Sequence, residues 1–560
     1  MNVESSLPAI RSYLEALDGI GPVRASSLRE LGIDDWLDVS AVEAQLSLFP
    51  SALASDALLL NRALEEQDPF VLSARLPQKL RYLLIDAMPD KTLFLDIETT
   101  GLSQVYHSVT LVGWSAGGRY SYELVGRDRT PSEAFLAAVR ERPVVASFNG
   151  ILFDIPFLDT LLDLPAIVNV DLRYLANRLG YSGSQKQVEL NLGVKRSGGV
   201  NEVRGADAPA LWFRATRGDF RALHDLIVYN FYDIRGLARI FKKLLPIALR
   251  TDQLTRSLRD GGLNARRVEV PMKPKIVQRT LIADHQADLV PQSIPLFTFQ
   301  NSRIDRRRVV VGVDLTGSDQ RPSGLAVLSG TSTKLATIGP LDEIERFVIE
   351  ANPDLVSIDA PLCLPVGRTA VTDDDPARVT HGIMRESERL LKRRGVNVYP
   401  CLLPSMQQLT RRGIELATRL RNCGIATIES YPGAAQDMLA MPRKGVGIPF
   451  LLQSLRETGL DLPNRPINHD ELDAVTSAIV GVFFLSDMYE ELAGPGEDPL
   501  IVPARQRRSD APRAVVFSGR IGAGKTTAGR MIESLGATYG RYSMVVASEA
   551  QSRGLAPNRQ

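Results

Sequence analysis

The sequence predicts an α/β protein with two consecutive domains, a small helical module before them and a phosphate-loop segment after them. Three observations support this prediction. Apolar, strand-like segments at 92–98 and 309–315 each deliver acidic residues. Each of these segments is followed by two more strand-like segments and then by a helical one, which is typical of α/β domains. A glycine-rich loop near the C-terminus follows a further apolar strand.

Length and composition restrict the class of protein. The 560 residues fit three or four domains of about 150 residues each. The net charge of +1 creates no global attraction for nucleic acid, so any contact must come from local patches. The three cysteines show no Cys-x-x-Cys pairing, which argues against a disulfide framework and against zinc. We find no signal-peptide pattern and no membrane-length apolar run, and we expect a cytoplasmic protein with no membrane partner. The oligomeric state is unknown.

A Gly-Ile-Gly-Pro turn at 19–22 marks the N-terminal module, assigned to residues 1–87. We predict two short helices on either side of it. The segment resembles the helix-hairpin-helix module, in which glycines let backbone N–H groups approach a phosphate. The resemblance implies that Gly19, Gly21 and Arg24 contact a nucleic-acid backbone without sequence preference. An ordinary helical hairpin with a glycine turn is the alternative.

Paired acids open the first domain, assigned to residues 88–245. Asp96 and Glu98 lie at i and i+2 on a predicted strand, so both face the same side of a sheet. Asp154 follows an Asn-Gly turn, and Asp233 ends Tyr-Asn-Phe-Tyr-Asp on a predicted helix. Neighbouring acids repel unless a cation lies between them, which predicts a hard metal such as Mg²⁺ or Mn²⁺. A solvated acidic strand end is the alternative. Strands are predicted at 92–98, 108–115, 119–125 and 143–148, and a helix at 131–142.

Residues 88–245 resemble the DEDD superfamily of 3′→5′ exonucleases, which has a ribonuclease H-like fold, and in particular its YprB-like branch. The acids of its motifs are matched by Asp96, Glu98, Asp154 and Asp233. The resemblance implies that they hold two Mg²⁺ or Mn²⁺ ions for phosphodiester hydrolysis. Tyr229, four residues before the last acid, matches the tyrosine subclass (DEDDy). We interpret it as orienting water, because a Tyr with a pKa of about 10 is a poor base at neutral pH.

Residues 246–307 are predicted to be a linker, and the second domain is assigned to residues 308–503. Its predicted strands are 309–315, 323–329, 333–339, 355–359 and 426–429, and its predicted helices are 341–351 and one opening at 469. Asp314 and Asp359 are predicted to end adjacent strands. Asp470 and Asp473 lie at i and i+3, on one face of the last helix.

Residues 308–503 resemble an uncharacterised family of predicted nucleases with a RuvC/YqgF-like ribonuclease H fold. The matching segments are Gly312 to Leu315, Ile358 to Pro361, Arg385 with Glu388, Glu429 to Pro432, and His469 to Ala474. The resemblance implies two ribonuclease H-like domains in tandem, each with a mixed five-stranded sheet flanked by helices. It also implies a second two-Mg²⁺ site formed by Asp314, Asp359, Asp470 and Asp473. Glu429 and His469 are candidates for a further ligand or proton carrier, and Asp470 as a simple helix cap is the alternative.

The segment 511–560 contains a Gly-x-x-x-x-Gly-Lys-Thr loop, which cradles phosphates through backbone N–H groups. Its candidate nucleotide-binding residues are Gly519, Gly522, Gly524, Lys525 and Thr526. The segment resembles the start of a nucleoside or dephospho-coenzyme-A-type kinase. Residues 527–560 supply no strand that ends in a second metal-binding acid, so we expect weak ATP binding or none.

The sequence therefore predicts a metal-dependent nuclease, of the 3′→5′ exonuclease kind, with nucleic acid as its partner. The second domain is predicted either to cut or to bind. The alternative is a non-catalytic nucleic-acid-binding scaffold whose phosphate loop senses nucleotide. The complete first set of acids favours the nuclease. DNA and RNA are not distinguished.

Overall fold

A computed structural model describes residues 9–41, 51–126, 130–196, 207–260, 298–299 and 307–504. All of these residues belong to one compact unit, Met1–Arg505. The predicted phosphate loop and most of the predicted linker lie outside the described residues. None of the described helices combines the length and apolar character needed to cross a membrane.

The N-terminal module is helical and shares a hydrophobic core with the first domain. Its α-helices are α1 (Pro22–Glu30), α2 (Trp36–Ala41), α3 (Ser51–Glu65), α4 (Pro69–Arg75) and α5 (Tyr82–Ala87). Short 3₁₀ turns are Ala9–Ser12, Leu14–Ala16, Gln78–Leu80 and Pro89–Lys91. The first predicted helix of the hairpin is therefore two 3₁₀ turns. Its backbone is held from across the module, because the buried Trp36 Nε1 donates to the Tyr13 carbonyl at 2.9 Å.

The first domain is a five-stranded mixed sheet with helices around it. Its strands are β1 (Thr92–Thr99), β2 (Val109–Ala116), β3 (Arg119–Leu124), β4 (Val144–Ser147) and β5 (Val168–Asp171), in the order β3-β2-β1-β4-β5. β1, β2 and β3 are antiparallel, whereas β1, β4 and β5 are parallel. Its helices are α6 (Glu133–Glu141), α7 (Asp154–Asp159), α8 (Leu172–Arg178), α9 (Gln185–Asn191), α10 (Ala208–Ala215) and α11 (Phe220–Asp260).

Helix α11 extends into the predicted linker. Pro246 favours a helix end because it removes a backbone donor, yet the helix continues to Asp260. Tertiary contacts explain the difference: Asp252 accepts a hydrogen bond from the Tyr82 hydroxyl at 2.6 Å and pairs with Arg178 at 2.9 Å. Residues 246–260 of the predicted linker therefore belong to this helix.

The second domain contains a seven-stranded mixed sheet. Its strands are β6 (Val309–Asp314), β7 (Ser323–Ser329), β8 (Ser332–Ile338), β9 (Leu355–Asp359), β10 (Thr427–Ser430), β11 (Tyr489–Leu492) and β12 (Leu500–Pro503), in the order β11-β12-β10-β9-β6-β7-β8. Its helices are α12 (Leu341–Ala351), α13 (Arg378–His381), α14 (Glu386–Arg393), α15 (Gln407–Asn422), α16 (Pro432–Met438), α17 (Ile448–Glu457) and α18 (His469–Leu485).

The two sheets share an order of strands. β8-β7-β6-β9-β10 repeats the order and the strand directions of β3-β2-β1-β4-β5. The prediction of five strands for the second sheet is wrong, because β12 and β11 extend it beyond β10. Both extra strands have four residues, too few for a two-residue alternation to stand out in the sequence.

Candidate metal centre

Two of the predicted acids of the first domain lie on β1, the middle strand of the first sheet. Asp96 and Glu98 alternate to the same face, as their spacing requires. Gly113 lies opposite Asp96 on β2. A Cβ atom at Gly113 would lie 1.8 Å from the Asn230 Oδ1 atom. The glycine therefore leaves the space through which α11 reaches these acids.

Helix α11 brings the third acid, Asp233, which is buried. One carboxylate oxygen from each of Asp96, Glu98 and Asp233 lies within 4.8 Å of the others. Among the residues described by the structure, this is the one group of three acids, histidines or cysteines that is close enough to hold a metal ion. We call it the first centre.

Asn230 orients the acids of β1. Its Nδ2 atom donates to Asp96 Oδ2 at 2.9 Å and to Glu98 Oε1 at 3.4 Å. The Tyr120 hydroxyl donates to Asn230 Oδ1 at 3.0 Å, which fixes the amide. Sequence reasoning did not identify Asn230, although its place directly after Tyr229 on the same predicted helix was a signal.

Asp154 lies beside the first centre, after a tight turn, although it is not one of the three acids within 4.8 Å of one another. Asn149 has a left-handed φ of 68°, and its N–H donates to Asp171 at 2.8 Å. The Ile151 N–H donates to the other oxygen of Asp171 at 3.3 Å. Asp154 then opens α7, and its Oδ1 atom accepts from the Ile97 N–H at 3.1 Å. Asp154 Oδ1 therefore lies beside Ile97, the residue between Asp96 and Glu98 on β1.

The acids of the first centre oppose one another's ionisation. Burial, and then the charges of Asp233 and Glu98, raises the pKa of Asp96 well above its usual range. Burial followed by the charge of Asp233 does the same for Glu98. Burial raises the pKa of Asp154 to about 7, although backbone hydrogen bonds oppose it. Buried carboxylates that oppose one another's ionisation fit a hard divalent cation such as Mg²⁺ or Mn²⁺, which would neutralise their charges.

Tyr229 lies one helical turn before Asp233 and is buried. Burial, and then the charges of Asp233 and Glu98, raises the pKa of Tyr229 above its ordinary value. The Lys186 Nζ atom lies 4.7 Å from the centre of the ring. Because the phenol stays protonated at neutral pH, it can donate or accept a hydrogen bond but cannot act as a base.

A second set of acids lies where β6 and β9 end. Asp314 and Asp359 are register neighbours on these parallel strands. Helix α18 packs closely on β6 because Gly312 has no side chain: a Cβ there would lie 2.0 Å from the Ala474 carbonyl oxygen. This approach brings Asp473 near the strand ends. Burial, and then the charges of Asp359 and Asp473, raises the pKa of Asp314.

A lysine supplies positive charge to this second centre. The Lys444 Nζ atom, from the loop between α16 and α17, lies 2.6 Å from Asp473 Oδ2. The other oxygen of Asp473 accepts from Gln436 Nε2 at 2.9 Å. The buried Asp314 Oδ2 atom has no hydrogen-bond partner. Sequence reasoning missed Lys444 and Gln436, which belong to no recognised motif.

Asp470 and His469 lie at the edge of the second centre. The His469 Nδ1 atom is 2.8 Å from Asp470 Oδ1, and the side chains are 47% and 25% exposed. The helix cap is Asn468, whose side chain accepts from the Glu471 N–H at 2.8 Å. The alternative in which Asp470 caps α18 is therefore wrong.

Glu429 does not face the second centre as a free ligand. Both of its oxygens accept from the buried Arg385 at 2.6 Å, and one also accepts from the Leu362 N–H at 2.8 Å. Arg385 also donates to Glu388 at 3.0 Å. This buried ion-pair network satisfies both carboxylate oxygens of Glu429, which argues against its candidate role as a further metal ligand.

The structure brings the three candidate residues of the hairpin module to one turn. Gly19 has a φ of 72°, and Gly21 is the N-cap of α1. Arg24 Nη1 donates to the Gly19 carbonyl at 3.0 Å, so this guanidinium stabilises the turn.

Residues 93–245 match the family model RNase_H_2, described as "RNase_H superfamily". The first domain is thus a ribonuclease H-like superfamily domain, and the members of that superfamily are generally nucleases. No curated protein matches the chain. A solved structure described as "apo form of the nuclease" is 17% identical, and the match covers 31% of this chain and 81% of that one with a TM-score of 0.23.

Proposed function

We propose that the first domain is a metal-dependent 3′→5′ exonuclease of the DEDDy kind that hydrolyses phosphodiester bonds of DNA or RNA. The observation that supports this most is the carboxylate group of Asp96, Glu98 and Asp233 within 4.8 Å. It lies in a ribonuclease H-like domain, at the end of the central strand. Two bound Mg²⁺ or Mn²⁺ ions would supply an activated water and stabilise the leaving oxygen.

The protein groups divide the remaining work. The three acids, with Asp154, would hold the cations. Asn230 fixes the two acids of β1 through its amide hydrogen bonds. The Tyr229 hydroxyl orients the attacking water, since an ordinary phenol is protonated at neutral pH and is a poor base there.

For the second domain we propose a RuvC/YqgF-like ribonuclease H fold with a binding role. The repeated strand order supports the fold. Lys444 supports the role, because an ammonium group beside Asp473 supplies the charge that a metal would otherwise supply and can contact a phosphate. A second cutting centre at Asp314, Asp359, Asp470 and Asp473 is the alternative. The hairpin module is proposed to contact the nucleic-acid backbone through its turn at 19–22.

A scaffold without catalysis is the competing class of function. It predicts that the protein binds nucleic acid and that substitutions of the acids of the first centre leave this binding unchanged. The distinguishing experiment uses single- and double-stranded DNA and RNA, labelled at the 5′ end, with Mn²⁺, Mg²⁺ or EDTA. We expect stepwise shortening from the 3′ end with either metal and none with EDTA.

Two controls sharpen this experiment. A 3′-terminal phosphorothioate should slow shortening, and a circular substrate should persist, if cleavage starts at the 3′ end. Asp96→Asn is the matched inactive variant. Binding of all four substrates without metal-dependent cleavage of any of them would favour the scaffold.

A further inference from the structure

Asp233 of the first centre is held by a buried arginine. Arg196 Nη2 donates to Asp233 Oδ1 at 2.5 Å, and the arginine side chain is 6% exposed. Arg196 lies on the segment that follows α9, and no motif identified it. Of the acids gathered in this centre, Asp233 is the one for which the structure shows an ion pair with a basic side chain.

Glu189 of α9 anchors this arginine. Its two oxygens accept from Arg196 Nε at 2.5 Å and from Nη2 at 2.7 Å, and Glu189 is 2% exposed. Gln185 donates to Glu189 at 3.0 Å and to the Asp233 carbonyl at 2.7 Å. The arginine and its target are thus tied to the same two helices.

The helix surface is shaped for this anchor. Gly236 lies three residues after Asp233 on α11, and a Cβ there would lie 1.9 Å from Glu189 Oε1. Any side chain at that position would push Glu189 away, and Arg196 would lose its bidentate partner. A bidentate carboxylate fixes a guanidinium in one plane, so Arg196 presents Nη2 to Asp233 in a fixed direction.

We propose that the Glu189–Arg196 pair is a positioning device that fixes Asp233 and sets how tightly the first centre binds its divalent cations. This inference rests on the proposed function. The guanidinium has two opposing effects: it orients one ligand, which favours the reaction, and its positive charge repels a metal ion in the same site. Removing it while preserving the fold should therefore tighten metal binding and slow the reaction.

The test is a calorimetric Mn²⁺ titration of the full chain, with Asp314→Asn in every protein so that the heats report mainly the first centre. The key variant is Glu189→Gln with Arg196→Met, since removing the arginine alone would leave a buried unpaired carboxylate. We expect its Mn²⁺ dissociation constant to fall by about three- to tenfold, because the guanidinium that contacts Asp233 is lost together with the more distant Glu189 carboxylate, whose negative charge favours the metal. We also expect its kcat to fall by about 10- to 100-fold, with KM changed less.

Arg196→Lys separates charge from geometry. It keeps the positive charge but loses the two-point contact with Glu189, so the Mn²⁺ affinity should stay within about threefold of the parent while kcat falls. Arg178→Met is the control for loss of a part-buried arginine that pairs with an acid of α11. Arg178 pairs with Asp252, well away from the first centre, and its loss should lower thermal stability without changing the Mn²⁺ affinity.

The outcomes separate the two proposals. Unchanged Mn²⁺ affinity in the double variant, with a lower melting temperature alone, would show that the pair is only structural and would leave the nuclease proposal intact. Tighter Mn²⁺ binding without cleavage of any substrate by the parent would support the device and contradict the nuclease. A parent chain that binds no Mn²⁺ would overturn both.

Discussion

The two acid centres lie at corresponding places in their sheets but differ in how their charge is balanced. In the first centre, three carboxylates lie within 4.8 Å, and the cation beside them, Arg196, is buried and anchored by Glu189. In the second, the ammonium of Lys444 contacts Asp473 directly, and its side chain is 50% exposed. Arg196 also contacts an acid of its centre, Asp233, but it is fixed by Glu189, whereas Lys444 is half-exposed. Among the described residues, only the first centre gathers three acids closely enough to hold a metal ion. The number of acids in a motif therefore does not by itself define a metal site.

The largest contrast is expected between Asp96→Asn and Asp314→Asn. Asp96 belongs to the only three-carboxylate group found among the described residues, so its loss should lower exonuclease kcat on the order of 10³-fold. Asp314→Asn should change it by less than about fivefold, because a second-domain binding role affects mainly substrate affinity. End-label assays with Mn²⁺ measure both. Equal losses would show that the two centres form one catalytic unit.

Residual endonucleolytic cleavage by Asp96→Asn would contradict the contrast between a cutting first centre and a binding second centre. It would show that the second centre cuts, and branched as well as linear DNA should be included to detect it. Melting temperatures of both variants should match or exceed that of the parent, because each change removes a carboxylate that opposes its neighbours' ionisation.

Tyr229→Phe is expected to have the next largest effect. Loss of the hydroxyl removes a partner for the attacking water but no metal ligand, so kcat should fall about 10- to 100-fold. The Mn²⁺ dissociation constant, measured by calorimetry, should stay within about twofold. Tyr120→Phe is a useful companion, because it removes a hydroxyl that contacts Asn230 instead. If Tyr229→Phe weakened Mn²⁺ binding as much as it slowed cleavage, the water-orienting role would be excluded.

The strands and their acids were predictable because their signals are local. Apolar segments with acids at or near their ends predicted β1, β6 and β9. The two-residue alternation of a strand then placed Asp96 and Glu98 on one face. The match of residues 93–245 confirms the ribonuclease H-like fold of the first domain. The tandem fold and the roles of the site residues stay predictions.

The partners of those acids were not predictable, because their signals are tertiary. Arg196 and Lys444 lie on connecting segments, and only the folded chain shows that they reach Asp233 and Asp473. The role of Gly113 was not predictable for the same reason. A side chain at this position would collide with Asn230, which is distant in sequence. The extent of α11 was likewise not predictable, because the helix continues past Pro246 and the contacts of Asp252 beyond it are tertiary.

Lys444→Gln addresses the difference between the centres directly. Removing the ammonium leaves Asp314, Asp359 and Asp473 without their nearest cation, so the second centre should bind Mn²⁺ about tenfold more tightly. Calorimetry in an Asp96→Asn background isolates this centre. Affinity for single-stranded DNA in EDTA should fall by about three- to tenfold, because one phosphate contact is lost. An exposed lysine of α14 provides the control for net charge, as Lys392→Gln. Equal effects of the two substitutions would deny Lys444 a special role.

The smallest effect is expected at the contact between the two domains, which connects the surroundings of both centres. His107 lies on the loop after β1, and its Nε2 atom is 3.2 Å from Asp437 Oδ1. Its Nδ1 atom accepts from the Ser103 N–H at 3.0 Å, which directs Nε2 to the second domain. Asp437 follows Gln436, the partner of Asp473, and also pairs with Arg443.

His107→Ala should therefore lower the free energy of unfolding by about 1.5–3 kcal/mol, the usual value of a hydrogen bond to a charged group. Urea denaturation at pH 7 measures this loss. Catalysis by the first centre should change by less than about twofold, because Arg443 still pairs with Asp437 and the acids of β1 are held by Asn230. A large loss of exonuclease activity without loss of stability would show that this contact transmits the state of the second centre to the first, and the two centres would then have to be treated as coupled.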